Sequence, residues 1–177
     1  MERIVLGSGN VYITDFNGVL PDNATIETES NLLGYIQGGA TLEYKPEFYS
    51  ATDDKGIVRK TVLTKEEVTF KSGIMTWNGA TLQKVCSTAR VTETAGKRVV
   101  KIGGVANQDG KVYVIHFVHE DEADGDIRVT VVGNNQNGFS LAFAKDKETV
   151  IDAEFKASPS DSDGTLVVFE EEIITVG

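Results

Sequence analysis

From residue 41 to 49 the chain alternates: Leu42, Tyr44, Pro46 and Phe48 fall on one side of an extended strand, and Thr41, Glu43, Lys45 and Glu47 on the other. Pro46 lacks a backbone donor, which predicts a sheet edge or a bulge there. Residues 61–76 resume the alternation, with Val68 and Phe70 against Glu67, Thr69 and Lys71. A charged, glycine-containing loop over 51–60 joins the two, so 41–76 reads as a long hairpin. Further strands are expected over 3–6, 11–16, 98–102, 111–119, 126–132, 139–144, 150–157 and 165–174. Turn residues fill the gaps, as in Gln108-Asp109-Gly110 and Ser162-Asp163-Gly164. The stretch 26–36 follows neither period. One helix is expected over 80–88, with Asn78 as its N-cap and Leu82, Val85 and Cys86 at helical spacing. Strands this closely spaced around one helix predict a mainly β, antiparallel sandwich or barrel. A short flanking helix and a long hairpin arm complete it, in a single domain over 1–177.

Charge narrows the choice of function. The chain has 17 Lys and Arg against 27 Asp and Glu, a net charge of −10. Tight non-specific binding to nucleic acid needs the opposite balance, because cations must displace counterions from phosphate. No window approaches the length of a membrane-spanning helix, so no membrane is expected as a partner. The first residues have no basic stretch followed by an apolar one, so no export signal is expected. One cysteine, Cys86, cannot form an internal disulfide.

Candidate chemistry is sparse. His116 and His119, the two histidines, are three apart in an expected strand, so their rings diverge instead of sharing a ligand. One should be buried beside the core and the other should end the strand. Glu120-Asp121-Glu122-Ala123-Asp124-Gly125-Asp126 and Ser160-Asp161-Ser162-Asp163-Gly164 look like calcium loops but fail the ligand spacing, so acidic turns are the better reading. Gly7-Ser8-Gly9 precedes a strand and not the helix a phosphate loop requires. Trp77 reads as a core plug and Cys86 as an inert thiol. No catalytic residue, metal ligand or cofactor is expected, and a structural or binding protein is favoured over an enzyme.

Four stretches in this order resemble the major tail proteins, or tail tube proteins, of long-tailed bacteriophages and of prophages in Gram-positive bacteria. They are Asn31-Leu32-Leu33-Gly34-Tyr35-Ile36-Gln37-Gly38-Gly39-Ala40; Lys71-Ser72-Gly73-Ile74-Met75-Thr76-Trp77-Asn78-Gly79; Gly133-Asn134-Asn135-Gln136 leading into residues 139–146; and residues 148–157, with Glu170-Glu171-Glu172 in a last strand. The resemblance implies a virion structural protein that forms homohexameric rings, stacked into a hollow tube for genome ejection. Its partners would be itself, the tape measure protein, a tail terminator and tail tip or baseplate proteins. DNA would be a transient cargo. Assembly would occur in the bacterial host cytoplasm and the final location would be the virion tail.

On that reading 41–76 is the hairpin that reaches the neighbouring ring. Glu43, Lys45, Glu47, Glu67, Thr69 and Lys71 are expected to face the lumen, where an acidic wall would repel phosphate. Lys45 and Lys71 would pair with those carboxylates or moderate their field. The inter-ring stacking loop would use Asp53, Asp54, Lys55, Arg59 and Lys60. Alternatives are the tube of a contractile tail or phage-tail-like bacteriocin, and a carbohydrate- or cell-surface-binding β-sandwich using Tyr35, Tyr44, Tyr49 and Trp77.

Overall fold

The computed structural model describes residues 7–174, and the strand expected over 3–6 lies outside them. Its elements in chain order are β1 (Asn10–Asp15), α1 (Asn23–Ile26), β2 (Leu32–Gly34), β3 (Ile36–Thr52), β4 (Arg59–Ile74), α2 (Gly79–Val85), β5 (Arg90–Thr94), β6 (Lys97–Lys101), β7 (Tyr113–His119), β8 (Ile127–Asn135), β9 (Ile151–Ser158) and β10 (Val167–Glu171). The fold is mainly β and every strand pairing is antiparallel. The main sheet runs β2-β1-β7-β8-β9-β4-β3, and β5 pairs with β6 in a separate ladder.

Only Tyr35 separates β2 from β3, yet these strands stand at opposite ends of that order. The sheet must therefore curl until its edges meet. At the seam the N–H of Met75 donates to the carbonyl of Tyr35 at 2.8 Å, and the N–H of Tyr35 to Thr76 Oγ1 at 2.7 Å. Gly34 sits there with φ +148°, and a Cβ on it would lie 2.1 Å from the Thr76 carbonyl oxygen. Gly34→Ala is expected to cost about 1–3 kcal/mol through strain and overpacking. A lowered urea midpoint checks it.

The concave face holds the core. Val11 and Ile13 of β1, Tyr113 and Ile115 of β7, Val131 of β8, Phe155 of β9, and Val68, Phe70 and Ile74 of β4 are buried together, with Leu82 and Val85 of α2 closing over them. Asn78 caps α2 as the sequence predicts, its Oδ1 accepting from the Ala80 N–H at 2.8 Å, while Thr81 Oγ1 answers the Asn78 N–H at 3.2 Å. The helix stops at Val85, earlier than expected, with Cys86 as its half-buried C-cap. Trp77 fills the corner before it and donates to the Thr149 carbonyl at 2.9 Å, consistent with a plug.

Two expectations are corrected. A second helix, α1, occupies 23–26: Asp22 Oδ1 accepts from the Thr25 N–H at 2.7 Å, and Ile26 is buried on the convex face against Val114 and Val132. No strand forms over 139–144. Phe139 and Leu141 pack on the core as a loop instead, because β9 already pairs with β4 on one edge and β8 on the other. The only ladder contact there is an isolated bridge between Ala144 and Lys147.

Candidate functional site

The hairpin of β3 and β4 is longer than its alternation announced. It pairs from Ile36 with Ile74 to Thr52 with Arg59. Its register breaks at Gly38-Gly39, both at positive φ, and again opposite Thr64, whose hydroxyl donates to the Glu47 carbonyl. β9 covers β4 only from Thr69 to Ile74. Residues 59–68 and their partners on β3 therefore form a two-stranded arm, and such ribbons are marginal in water without a further partner.

One face of the arm is apolar, as expected, but it is not core. Tyr44 is 53% exposed and Phe48 61%, with Leu42 and Leu63 also open to solvent. Val68 and Phe70, nearer the root, are buried.

The other face is ionic. Glu43, Lys45 and Glu47 of β3 lie beside Lys65, Glu67 and Lys71 of β4, and Glu154 and Lys156 of β9 extend the array. Glu43 pairs with Lys45 and, at 3.6 Å, with Lys71. Lys71 reaches Glu154 at 3.6 Å, Lys156 reaches Glu67 at 3.0 Å, and Lys65 bridges Glu47 at 3.2 Å and Glu67 at 3.7 Å. The Lys45 ammonium holds the Glu43 carboxyl below its ordinary range, and Lys156 does the same for Glu67. Four carboxylates meet four ammonium groups, so the array is balanced, and Lys45 and Lys71 pair with its carboxylates as the alternation suggested. Thr69 belongs to this face but is only 8% exposed, since Glu43 and Lys156 flank it in register.

At the tip, Asp53 folds inward. Its Oδ1 accepts from the Val58 N–H at 2.7 Å, which holds its pKa below the ordinary carboxylate range, and Gly56 turns at φ +70°. Asp54 and Lys55 occupy the exposed turn, and Arg59 and Lys60 open β4 opposite Thr52 and Ala51.

A second polar cluster lies on the convex face. His116 is 2% exposed; its Nε2 is 3.0 Å from Glu27 Oε1 and its Nδ1 is 2.8 Å from Thr130 Oγ1. A carboxylate only accepts, so Nε2 carries the proton toward Glu27. Arg128 Nε donates to the same Glu27 oxygen at 2.7 Å, and its other arm reaches Asp126 at 3.0 Å. Burial pushes the Glu27 carboxyl up, but its bonds and charge contacts with Arg128 and His116 outweigh that and hold it low. Sequence reasoning missed this cluster, and no local spacing could have revealed it. His119 ends β7 and turns away from His116 as the strand period requires. Unlike the expectation of one buried histidine, both are buried; His119 Nδ1 donates to the Ser8 carbonyl at 2.7 Å.

The acidic runs act as turn caps. Asp121 Oδ1 accepts from the N–H groups of Ala123 and Asp124, and Asp161 Oδ1 from those of Asp163 and Thr165. Among the described residues, no group of three or more His, Cys, Asp or Glu side chains is placed to hold a metal. No helix among them is long and apolar enough to cross a membrane. No protein-family model matches the sequence, and no curated protein matches it.

Proposed function

We propose that the chain is a structural subunit whose copies close into six-membered rings and stack into the hollow tail tube of a long-tailed phage. The observation that carries this reading is the β3–β4 arm, a two-stranded ribbon with an uncovered apolar face. Assembly of identical copies is a general way to cover such a face and to remove an open strand edge. The resemblance in the stretches around Gly34, Trp77 and Phe139 supplies the tube and its cargo. On this reading the ionic face of the arm lines the lumen. A balanced lattice of Glu and Lys neither grips passing DNA nor strongly repels it.

Aromatic stacking on sugars finds little support. Tyr44 and Phe48 share one face of the arm while Tyr49, one residue on, takes the other. The arm therefore puts two exposed aromatics on one side and the third on the other, short of a continuous stacking row.

The test is electron microscopy and sedimentation of the purified protein at rising concentration, alongside the triple variant Tyr44→Ser, Phe48→Ser, Leu63→Ser. The wild type should give six-fold rings or tubes. The variant should keep the wild-type circular dichroism spectrum and remain monomeric, because its changes fall on exposed positions. A wild type that stays monomeric throughout, or a variant that assembles equally well, would count against the proposal.

A further inference from the structure

The small ladder of β5 and β6 is basic in an acidic chain. Between residues 90 and 101 stand four cations and one carboxylate, leaving −13 on the rest of the molecule. Register sorts these charges. Arg98 and Glu93 are opposite each other and pair at 2.6 Å, while the same side brings Arg98 and Val100 against Gly79 at the start of α2. The reverse side carries Arg90, Thr92, Thr94, Lys97, Val99 and Lys101, all exposed. Arg90 stands directly across from Lys101. Like charges opposite one another destabilise a ladder. No carboxylate of the described residues forms an ion pair with Arg90, Lys97 or Lys101.

The complement lies at the far end of the same molecule. β8 begins directly after the turn 120–126, which holds five carboxylates. β10 runs antiparallel to β8, so Glu170 falls beside Arg128 and Glu171 beside Ile127, and Glu172 bonds the Asp126 backbone at 2.9 Å. At its other end, Asn135 Nδ2 donates to the Val85 carbonyl of α2, the helix on which the basic ladder packs. The nine residues of β8 thus separate the two poles by roughly 30 Å. β4 is antiparallel to β9, as β9 is to β8, so the arm tip lies toward the acidic pole.

We infer that the outer face of β5–β6 docks onto the acidic pole of a second copy of this chain, joining copies head to tail. Because the two poles lie at opposite ends of the molecule, a heterologous contact between them propagates along an axis unless its rotation closes it into a ring. A polyanion is the less fitting occupant, because the rest of the chain would repel it. The inference rests on the ring reading only in calling the contact the axial one between rings; the pairing of poles stands apart from ring closure.

Charge reversal at each pole separates the two. One variant is Arg90→Glu, Lys97→Glu, Lys101→Glu; the other is Glu120→Lys, Glu122→Lys. All five positions are exposed, and circular dichroism checks that both variants fold. At low ionic strength, each variant alone should lose axial association by about tenfold or more per contact, and an equimolar mixture should regain it. Rings that form but stack only in the mixture support both readings. Variants that pair only with each other while no ring ever forms support this contact and refute the ring. Variants that associate alone as the wild type does, a mixture that fails to associate, or a basic variant that loses only binding to a DNA duplex overturn the inference.

Discussion

Replacing Phe155 by alanine is expected to lower stability by about 3–5 kcal/mol, a large share of what holds a domain of this size together. Phe155 is completely buried and sits opposite Phe70 of β4 in register, with Asn135 of β8 on its other side. The Phe70 ring in turn lies 6.0 Å from Phe117 of β7. Removing the Phe155 ring leaves a cavity where the arm's root joins the main sheet, and neither flanking strand can move in without breaking its ladder. Urea denaturation should show a lower midpoint with an unchanged slope. Phe48→Ala is the control. Its ring is exposed on the arm, so the isolated chain should lose less than about 0.5 kcal/mol. Equal losses at the two positions would mean that the arm is not an open ribbon.

That contrast marks where periodicity is informative. The alternation over 41–49 and 61–71 specified which residues share a face, and the register keeps Leu42, Tyr44 and Phe48 together. It could not specify what covers the face, since a period of two is the same for core and for interface. The strand's start was hidden because Gly38-Gly39 inserts a bulge that interrupts the alternation. The α2 start was legible in Asn78, a local signal. Residues 139–144 had a strand's pattern without a strand's partner, and pairing is a property of the sheet and not of the segment. The Glu27 cluster lay beyond reach for a similar reason. Its members are 89 and 101 residues apart and meet only through the β7–β8 register and the docking of α1.

That cluster gives the second large effect. Glu27→Ala should cost about 3 kcal/mol, because it strips an acceptor from both Arg128 and His116 in a mostly buried site. Replacing the ion pair as a unit, Glu27→Leu with Arg128→Met, should cost distinctly less, since the Arg128 charge no longer stays behind unpaired and the Asp126 carboxylate that loses its partner is partly exposed to water. A double-mutant cycle measures the coupling. The pH dependence follows from the direction of the Glu27 shift. Its folded pKa lies below the ordinary glutamate value of 4.5, so its contribution is fully present above that value and is lost as the pH falls through the folded one. The wild type should therefore lose stability on acidification below about pH 4.5 more steeply than Glu27→Ala does, and the two unfolding curves should converge as the pH falls further. A constant gap between wild type and variant across that range would show that Glu27 acts through packing and not through its charge.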